Sequence, residues 1–248
     1  GDGFFASARR ERRGRWRLWR CGPVCRGAAL REAASCAPMS PEPADLKTSV
    51  KSAEFTAAAA ALANLPPPLT VEVAFAGRSN VGKSSLMNCL LSRRNLVRVS
   101  GTPGCTRTLS LFDAELGDGA RITMVDLPGY GFARRSKTER GAWAEMIEGY
   151  LLERVTLRAV VSIIDVRRGL EDDDRDLLTM MAAPSQVSRP QVTTLVVATK
   201  LDKLPLNKQK LELERVRKGA GVPVLGFSSE TGFGRDELWQ RIRKAAGI

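Results

Sequence analysis

The clearest chemical signal in the sequence is the eight-residue segment Gly77-Arg78-Ser79-Asn80-Val81-Gly82-Lys83-Ser84. Its spacing matches the glycine-rich loop whose backbone amides surround phosphate groups. Gly77 and Gly82 can take backbone angles that are closed to most residues with a side chain. We therefore expect Lys83 to reach the outer phosphates of a nucleotide and the Ser84 hydroxyl to bind a magnesium ion.

The stretches on either side of this loop predict the elements that hold it in place. The apolar run at 71–76 is typical of a buried strand, and residues 85–91 are typical of a helix. A helix that begins at the loop adds its partial positive charge to an anion site. The alternative, a glycine turn before an ordinary helix, fits this strand–loop–helix order less well.

A second phosphate motif is predicted at the end of a hairpin. An alternating stretch, a glycine turn and an apolar stretch over residues 109–125 indicate two antiparallel strands. The second strand leads into Asp126-Leu127-Pro128-Gly129. At this position Asp126 could hold the magnesium shell, and the Gly129 amide could contact a terminal phosphate.

The choice of base is predicted by residues that follow two later strands. The apolar strand at 191–198 leads into Thr199-Lys200-Leu201-Asp202. The Asp202 carboxylate can accept two hydrogen bonds from guanine, whereas adenine would leave it unpaired, and such a mismatch discriminates by about 10⁴ or more. The Lys200 stem would cover the base while its amine contacts the phosphate loop. The amide of Ser229, after the last strand, would donate to guanine O6.

The rest of the chain alternates between predicted strands and helices. The continuous apolar run 157–165 indicates a strand at the buried centre of a parallel sheet. A helix is predicted over the Ala-rich run 48–64, and the acidic run 171–174 is expected to be the solvated first turn of another. Two further helices should bury apolar stripes, namely Trp143, Met146, Ile147, Tyr150 and Leu151, and Leu238, Trp239, Ile242 and Ala245. The pattern predicts an α/β fold with a mostly parallel sheet of about six strands and helices on both faces.

The composition restricts the class of protein. The chain has 248 residues, 43% of them apolar, and a net charge of +12, which permits a nucleic-acid partner. It has no histidine, and its five cysteines lack the spacing of a zinc site or a disulfide framework. This cysteine usage favours a reducing, intracellular compartment. No apolar stretch approaches the ~20 residues that span a bilayer, so no membrane partner is expected.

Residues 1–47 differ from the rest and are expected to be a disordered, Arg-rich extension before a single domain at 48–248. The first 38 residues contain nine arginines, three acidic residues and no lysine, and the first methionine is Met39. Three hypotheses stay open. The segment could be an upstream leader that is not native, with Met39 as the true start, an organelle-targeting peptide, or an RNA-binding arm with tryptophans among arginines.

Taken together, the motifs resemble those of the EngB family of P-loop GTPases. The resemblance covers residues 48–246 and depends on the segments 77–86, 102–106, 126–133, 199–202 and 227–229. It implies a GTPase that binds GTP or GDP with Mg²⁺ and acts in assembly of the large ribosomal subunit. The implied partners are rRNA and ribosomal proteins, the implied state is a monomer, and the implied location is the bacterial cytoplasm, or an organelle if residues 1–38 are a targeting peptide.

The resemblance also implies roles for individual residues. Lys83, Thr106 and Gly129 would act in catalysis, and Ser84, Thr106 and Asp126 would hold magnesium. Cys105 and Arg107 depart from the family pattern, since many relatives have a basic residue and Gln there. The implied nucleotide-binding residues are Gly77, Arg78, Ser79, Asn80, Val81, Gly82, Lys83, Ser84, Ser85, Gly104, Cys105, Thr106, Asp126, Leu127, Pro128, Gly129, Thr199, Lys200, Asp202, Phe227, Ser228 and Ser229.

The expected mechanism is that of a slow switch. Tyr130 follows Gly129 where a Gln could orient water, and no arginine finger is evident, so intrinsic hydrolysis is expected at roughly 10⁻⁴ to 10⁻² per second. Asn80 resembles the loop Asn that holds potassium in related GTPases, where the ion would supply the missing positive charge. GTP would order residues 100–108 and 127–140. The second loop would then offer rRNA or ribosomal protein a basic surface that consists of Arg134, Arg135, Lys137 and Arg140. The alternative is that these four side chains are merely a solvated face.

Three other functions are less consistent with these motifs. A small-molecule kinase would not need the segment 199–202. A GTPase switch on a non-ribosomal protein or membrane partner stays open, although no lipidation signal or basic amphipathic helix supports recruitment to a membrane. An RNA-binding protein with a structural nucleotide would show no turnover that ribosomes stimulate.

Overall fold

The computed structural model describes residues 8–10, 16–18, 43–97, 108–130, 137–185 and 187–248. The chain divides into two compact units, Gly1–Ser40 and Pro41–Ile248. In the first unit, strand β1 (Ala8–Arg10) pairs antiparallel with β2 (Trp16–Leu18). The second unit begins with a short helix, α1 (Pro43–Thr48). In the described part of the range 1–47, where the sequence predicts disorder, the structure therefore has this hairpin and most of α1.

A seven-stranded sheet forms the centre of the second unit. The strand order is β3-β5-β6-β4-β7-β8-β9. The pairs β3–β5 and β5–β6 are antiparallel, and the other four pairs are parallel. The predicted mostly parallel α/β sheet is confirmed. The strands are β3 (Val50–Ala59), β4 (Glu72–Gly77), β5 (Leu109–Leu116), β6 (Arg121–Asp126), β7 (Leu157–Asp165), β8 (Thr193–Thr199) and β9 (Val224–Gly226).

The edge strand β3 corrects the prediction of a helix over 48–64. It pairs with β5 from Val50 opposite Leu116 to Ala59 opposite Leu109, and a single 3₁₀ turn, Leu62–Asn64, follows it. The Phe55 and Phe112 rings meet edge to face with centroids 5.7 Å apart. Alanine favours helices only weakly, and pairing with a neighbouring strand overrides that preference. This strand also raises the count in the described sheet from the expected six to seven.

Helices cover both faces of the sheet. α2 (Lys83–Leu91) and α6 (Arg235–Ala246) pack on one face. The other face carries α3 (Lys137–Glu153), α4 (Asp172–Ala182) and α5 (Leu206–Ala220). The apolar stripes predicted for α3 and α6 are buried at Met146, Ile147, Tyr150, Leu151, Leu238, Trp239 and Ile242. Ala245 is partly buried, and the side chain of Trp143 lies outside the described part of the chain.

Strand β7, an interior strand of the sheet, shows why the sheet needs cover on both sides. Val161 and Ile163 face α2 and α6, whereas Val160 and Ile164 face the opposite layer, and all four are buried. Alternate side chains of a strand point to opposite faces, so a strand buried on both sides is apolar throughout.

The parallel strands bring their carboxyl ends to one edge of the sheet. β4 ends at Gly77, β6 at Asp126, β7 at Asp165 and β8 at Thr199. Loops that leave this edge are therefore neighbours in space although they are far apart in sequence, and ligands of open α/β sheets bind there. In the described residues, no helix is long and apolar enough to cross a membrane.

Candidate functional site

The loop between β4 and α2 has the backbone that the phosphate motif requires. Asn80 and Gly82 both lie in the left-handed region, with φ of 65° and 99°. Gly82 is the N-cap of α2 and supplies no side chain to the amides of the first turn. Those amides are free to bind an anion, which the helix dipole also favours. A side chain at Gly77 would not fit, because its Cβ would lie 2.8 Å from the Ile163 carbonyl oxygen.

Lys83 and Asp126 form a buried ion pair at the centre of the site. The Lys83 ammonium donates to Asp126 Oδ1, and their side chains are only 10% and 7% exposed. A phosphate would compete with Asp126 for Lys83, and a divalent cation would compete with Lys83 for Asp126. The neighbouring Ser84 lies in the first turn of α2. These groups therefore fit a nucleotide with its magnesium ion, since oxygen ligands suit that ion.

Gly129, at the end of the second motif, lies against the phosphate loop. A Cβ on Gly129 would be 3.2 Å from the Ser79 amide nitrogen. The next residue, Tyr130, forms a parallel bridge with Arg78, and its carbonyl accepts a hydrogen bond from the Ser79 amide at 3.2 Å. The structure thus brings the two phosphate motifs into direct backbone contact.

The acidic run at the start of α4 is part of the site rather than a fully solvated turn. Asp172 and Asp173 are exposed as expected, but Asp174 is only 2% exposed. Its Oδ1 accepts a hydrogen bond from the Tyr130 hydroxyl at 2.8 Å, and its Oδ2 accepts one from the Glu171 amide at 3.0 Å. Burial raises the pKa of both Tyr130 and Asp174. The prediction for this run is therefore wrong at Asp174, because Tyr130 packs over it.

Arg78 extends the same contact from the phosphate loop. Its guanidinium pairs with Glu171, and its Nε lies 3.6 Å from Asp173 Oδ2. The phosphate loop and the start of α4 are thus held together by charge. Sequence reasoning missed the acidic partners, because nothing in their spacing relates them to residues about a hundred positions earlier in the chain.

Asp202, the residue expected to select guanine, is held in a fixed orientation. Its Oδ1 accepts a hydrogen bond from Ser228 Oγ at 2.7 Å, and the Lys203 ammonium lies 3.2 Å from Oδ2. The Ser228 hydrogen bond lowers the pKa of this carboxyl. The loop itself is tied to the last strand, since the Leu201 amide donates to the Phe227 carbonyl at 3.2 Å.

Lys200 joins the base-reading loop to the phosphate loop. Its backbone is left-handed, with φ of 61°, and its ammonium donates to the Asn80 carbonyl. The same ammonium lies 3.0 Å from Asp165 Oδ2. Nearby, Thr199 Oγ1 donates to the Val81 carbonyl at 2.6 Å. The expected contact of the Lys200 amine with the phosphate loop is therefore present.

Asp165 anchors this junction from the end of β7. Its two oxygens accept hydrogen bonds from Arg167 Nε at 2.9 Å and from an Arg167 terminal nitrogen at 2.7 Å. Burial alone would raise the pKa of Asp165, but the hydrogen bonds from Arg167 and Lys200 outweigh it and lower the pKa to about 2. The carboxylate therefore stays charged and keeps Lys200 in place.

The phosphate loop and the base-reading loop border a cleft of about 670 Å³. Six of its lining residues were predicted: Gly82, Ser85, Thr199, Lys200, Asp202 and Ser229. Eight were not: Asn88, Cys89, Ser92, Arg93, Arg94, Asn95, Lys203 and Glu230. The second group belongs to no phosphate or base motif: six of its members lie on α2 or directly after it, and Lys203 and Glu230 follow β8 and β9.

Several predicted residues lie outside the described part of the chain. They are Gly104, Cys105 and Thr106 of the first switch loop, and Arg134 and Arg135 of the second. Lys137 and Arg140 lie in the first turns of α3. The roles that the sequence assigns to all of these residues stay predictions.

Sequence comparisons identify a family. A family model described as a 50S ribosome-binding GTPase matches residues 72–200. A probable GTP-binding protein EngB from Desulforapulum autotrophicum is 44% identical over 196 residues, which span 78% of this chain and 96% of the relative. A protein of the same name from Myxococcus xanthus is 45% identical over 196 residues, 77% of this chain and 92% of the relative.

Solved structures share the fold. A crystal structure of a probable GTP-binding protein engB matches with a TM-score of 0.54 at 22% identity, covering 71% of this chain and 99% of that one. Aquifex aeolicus Era bound to GDP and AlF₄⁻ matches with a TM-score of 0.57 at 25% identity, covering 71% of this chain and 57% of that one. The sequence relatives, matched over almost their whole length, together with this shared fold show that the chain is a GTPase of the EngB family.

Proposed function

We propose that this GTPase is a nucleotide-dependent switch in assembly of the large ribosomal subunit, acting in the cytoplasm. The observation that carries the nucleotide-dependent part of the proposal is the convergence of the phosphate loop and the base-reading loop on one cleft. The ribosomal part is supported by the family model matched at residues 72–200, whose description names binding to the 50S ribosome. The positive charge of the chain suits a partner that is rich in RNA.

Within this proposal the residues around the cleft have separate roles. Lys83 and the amides at the start of α2 bind the outer phosphates, and Asp202 with Ser229 reads guanine. Ser84, Thr106 and Asp126 would hold the magnesium ion. The ion neutralises charge on the phosphates when it is bound. Asp126 can take this role only when Lys83 turns from it toward phosphate.

Hydrolysis by this site is slow in the proposed mechanism. Gly129 lies against the phosphate loop, where its amide can donate to a terminal phosphate. The Tyr130 hydroxyl is bound to Asp174, so it does not orient a water molecule. Because the described residues offer neither a glutamine nor an arginine finger, turnover of roughly 10⁻⁴ to 10⁻² per second is expected until a partner supplies the missing catalytic group.

A potassium ion at Asn80 would supply part of the missing charge. Asn80 has a left-handed backbone beside Gly82, and its carbonyl accepts the Lys200 hydrogen bond, so its side chain is presented by a loop that is held in place. A cation there would stabilise negative charge that develops during hydrolysis. Equal turnover in sodium and potassium, with and without ribosomal subunits, would contradict this role.

The alternative is a GTPase switch that acts on a non-ribosomal protein. The same cleft would serve it, so the site does not separate the two functions. The partner therefore has to be tested directly.

The test is sedimentation of the protein with purified large or small ribosomal subunits from the same organism. We expect binding to the large subunit with a non-hydrolysable GTP analogue and binding that is about tenfold weaker with GDP. The variant Lys83→Ala, which should bind nucleotide poorly, ought to lose this difference. Binding to the large subunit that is equally tight with GDP and with the GTP analogue, or no binding to it, would favour the alternative.

A further inference from the structure

The nucleotide cleft has a second wall that no sequence motif predicts. One stretch of its lining comes from the loops after β8 and β9 and includes Lys200 and Asp202. The other stretch comes from α2 and from the residues that follow it, 92–95. A guanine base that Asp202 holds by its edge therefore has this second wall beside it.

The loop that forms the second wall is closed by hydrogen bonds from its own ends. The Asn88 side-chain amide donates to the Val97 carbonyl at 2.7 Å, and the Val97 amide donates back to Asn88 Oδ1 at 2.9 Å. Arg93 donates to the Lys51 carbonyl on β3 at 3.0 Å. A loop held in this way loses little conformational freedom when a ligand binds.

Helix α6 holds the start of the same loop. A terminal nitrogen of Arg235 donates to the Leu90 carbonyl at 3.1 Å and lies 2.9 Å from Ser92 Oγ. The Trp239 indole nitrogen also donates to the Leu90 carbonyl, at 3.0 Å. The end of α2 and the residues after it are thus attached to a buried part of the fold.

The loop backbone is strained at two positions. Ser92 and Asn95 have positive φ values of 52° and 61°, although neither is glycine. For residues with side chains this left-handed conformation is higher in energy, and they keep it where the surrounding structure imposes it. At Ser92 this conformation closes α2, since Ser92 is the C-cap and its amide donates to the carbonyls at the end of the helix, so the fold fixes the direction in which the loop leaves α2.

Arg94 is the side chain that this loop presents. It is exposed and lines the cleft, and it makes no hydrogen bond or ion pair with the residues that the structure describes, whereas its neighbour Arg93 is attached to β3. A guanidinium group is planar and weakly hydrated, so it stacks well on the flat face of a base.

We propose that Arg94 is a further guanine-binding residue whose side chain covers the face of the base that Lys200 leaves open. This inference rests on the base-reading role proposed for Asp202. Asp202 selects guanine by hydrogen bonds at the edge of the ring, whereas Arg94 adds affinity through contact with the face of the ring. Arg94 is therefore expected to change how tightly a guanine nucleotide binds without changing which base is chosen.

The test is calorimetric titration of GDP and GTP into the full chain and its Arg94→Ala variant, at about 0.1 M and about 1 M KCl. We expect binding of both nucleotides to weaken about tenfold, as when one base-stacking side chain is removed. The ratio should be the same at both salt concentrations, because contact with the face of a base is not screened by ions.

Two further variants serve as controls. Arg121→Ala removes an arginine whose side chain is 73% exposed at the opposite end of β6, and it should bind as the wild type does. Arg94→Gln keeps a planar end group on a shorter stem and should lose only about threefold, less than the cost of removing a whole stacked side chain, because part of the contact remains. The thermal unfolding temperature of both Arg94 variants should equal that of the wild type.

Two results would overturn the inference. One is an unchanged affinity in Arg94→Ala. The other is a loss that is larger for GTP than for GDP and disappears at high salt, because that pattern would place the arginine on the phosphates. Failure of the guanine-reading role would appear in the wild type itself, as equal binding of ATP and GTP, and is therefore distinguishable.

Discussion

Single residues of this site are paired with one another by charge. Lys83 pairs with Asp126, Lys200 with Asp165, and Asp202 with Lys203. Removing one member of a buried pair leaves the other uncompensated, which costs more than the pair contributes. A substitution in the cleft should therefore be judged by the partner that it leaves behind as well as by the ligand contact that it removes.

The substitution Asp202→Asn should change the base that the cleft accepts. An asparagine amide would present a donor where guanine also presents donors, whereas xanthine offers a carbonyl at that position. We expect GDP affinity to fall at least about 100-fold and xanthosine diphosphate to become the better ligand, since buried polar mismatches discriminate strongly. Titration of the two nucleotides measures this, with Asp176→Asn, an exposed change on α4, as the matched control. An unchanged preference for guanine would contradict the assignment.

The substitution Asp165→Asn should reduce the loss of stability in acid. The folded pKa of this carboxyl, about 2, lies below its ordinary value of 3.8. Its stabilising effect is therefore complete above about pH 4 and is lost as the pH falls toward 2. We expect the variant to lose about 1 kcal/mol at neutral pH, a discounted value because Arg167 is partly exposed.

Urea unfolding at several pH values measures this effect of Asp165. The difference in unfolding free energy between wild type and variant should shrink between pH 4 and pH 2. A constant difference across this interval would show that the carboxylate is not held in its charged form by Arg167 and Lys200.

Among the elements, the segment after β6 and the start of α4 are joined through Tyr130 and Asp174. The hydroxyl-to-carboxylate hydrogen bond is 2.8 Å long, and Asp174 is almost fully buried. Arg78 adds a second link from the phosphate loop to Glu171. The position of Gly129 is thereby coupled to α4, a helix that no nucleotide motif includes.

The substitutions Tyr130→Phe and Asp174→Asn should therefore be energetically coupled. We expect Tyr130→Phe alone to lower the unfolding free energy by about 1–2 kcal/mol, because it leaves a buried acceptor without its donor. The double variant should be less destabilised than the sum of the single variants by at least about 0.5 kcal/mol. Urea unfolding of the four proteins gives this coupling energy, and additive effects would contradict the link.

For the molecule as a whole, the residues from Pro41 onward form a compact unit by themselves. That unit contains the whole seven-stranded sheet and every residue described around the cleft. The edge strand β3 is part of it, and its Lys51 carbonyl accepts the hydrogen bond from Arg93. Residues before and after position 41 should therefore differ in their importance for stability and binding.

Two truncations test this difference. Removal of residues 1–40 should leave GDP affinity within about twofold of the full chain, because every described residue of the cleft remains. Removal of residues 1–59 also deletes β3. The backbone edge of β5 then loses its partner strand, which should abolish cooperative unfolding or lower the unfolding free energy by more than about 3 kcal/mol. Circular dichroism melts and GDP titration measure both, and equal behaviour of the two truncations would contradict the role of β3.

The sequence by itself determined the local chemistry of this protein. The phosphate loop, the segment 126–129 and the segment 199–202 were predicted with the strands that lead into them, because spacing along a short stretch of chain dictates its backbone conformation. The α/β class followed from the alternation of such stretches. Thr106 and its neighbours in the first switch loop stay predictions.

Only the tertiary structure decided which distant residues meet. It turned the Ala-rich run after residue 48 into an edge strand, because β5 offered unpaired backbone groups. It buried Asp174 under Tyr130 and brought the loop of Arg94 to the nucleotide cleft. These contacts join segments tens of residues apart, and no periodicity or short motif encodes them, since their energy arises only when the sheet places both segments side by side.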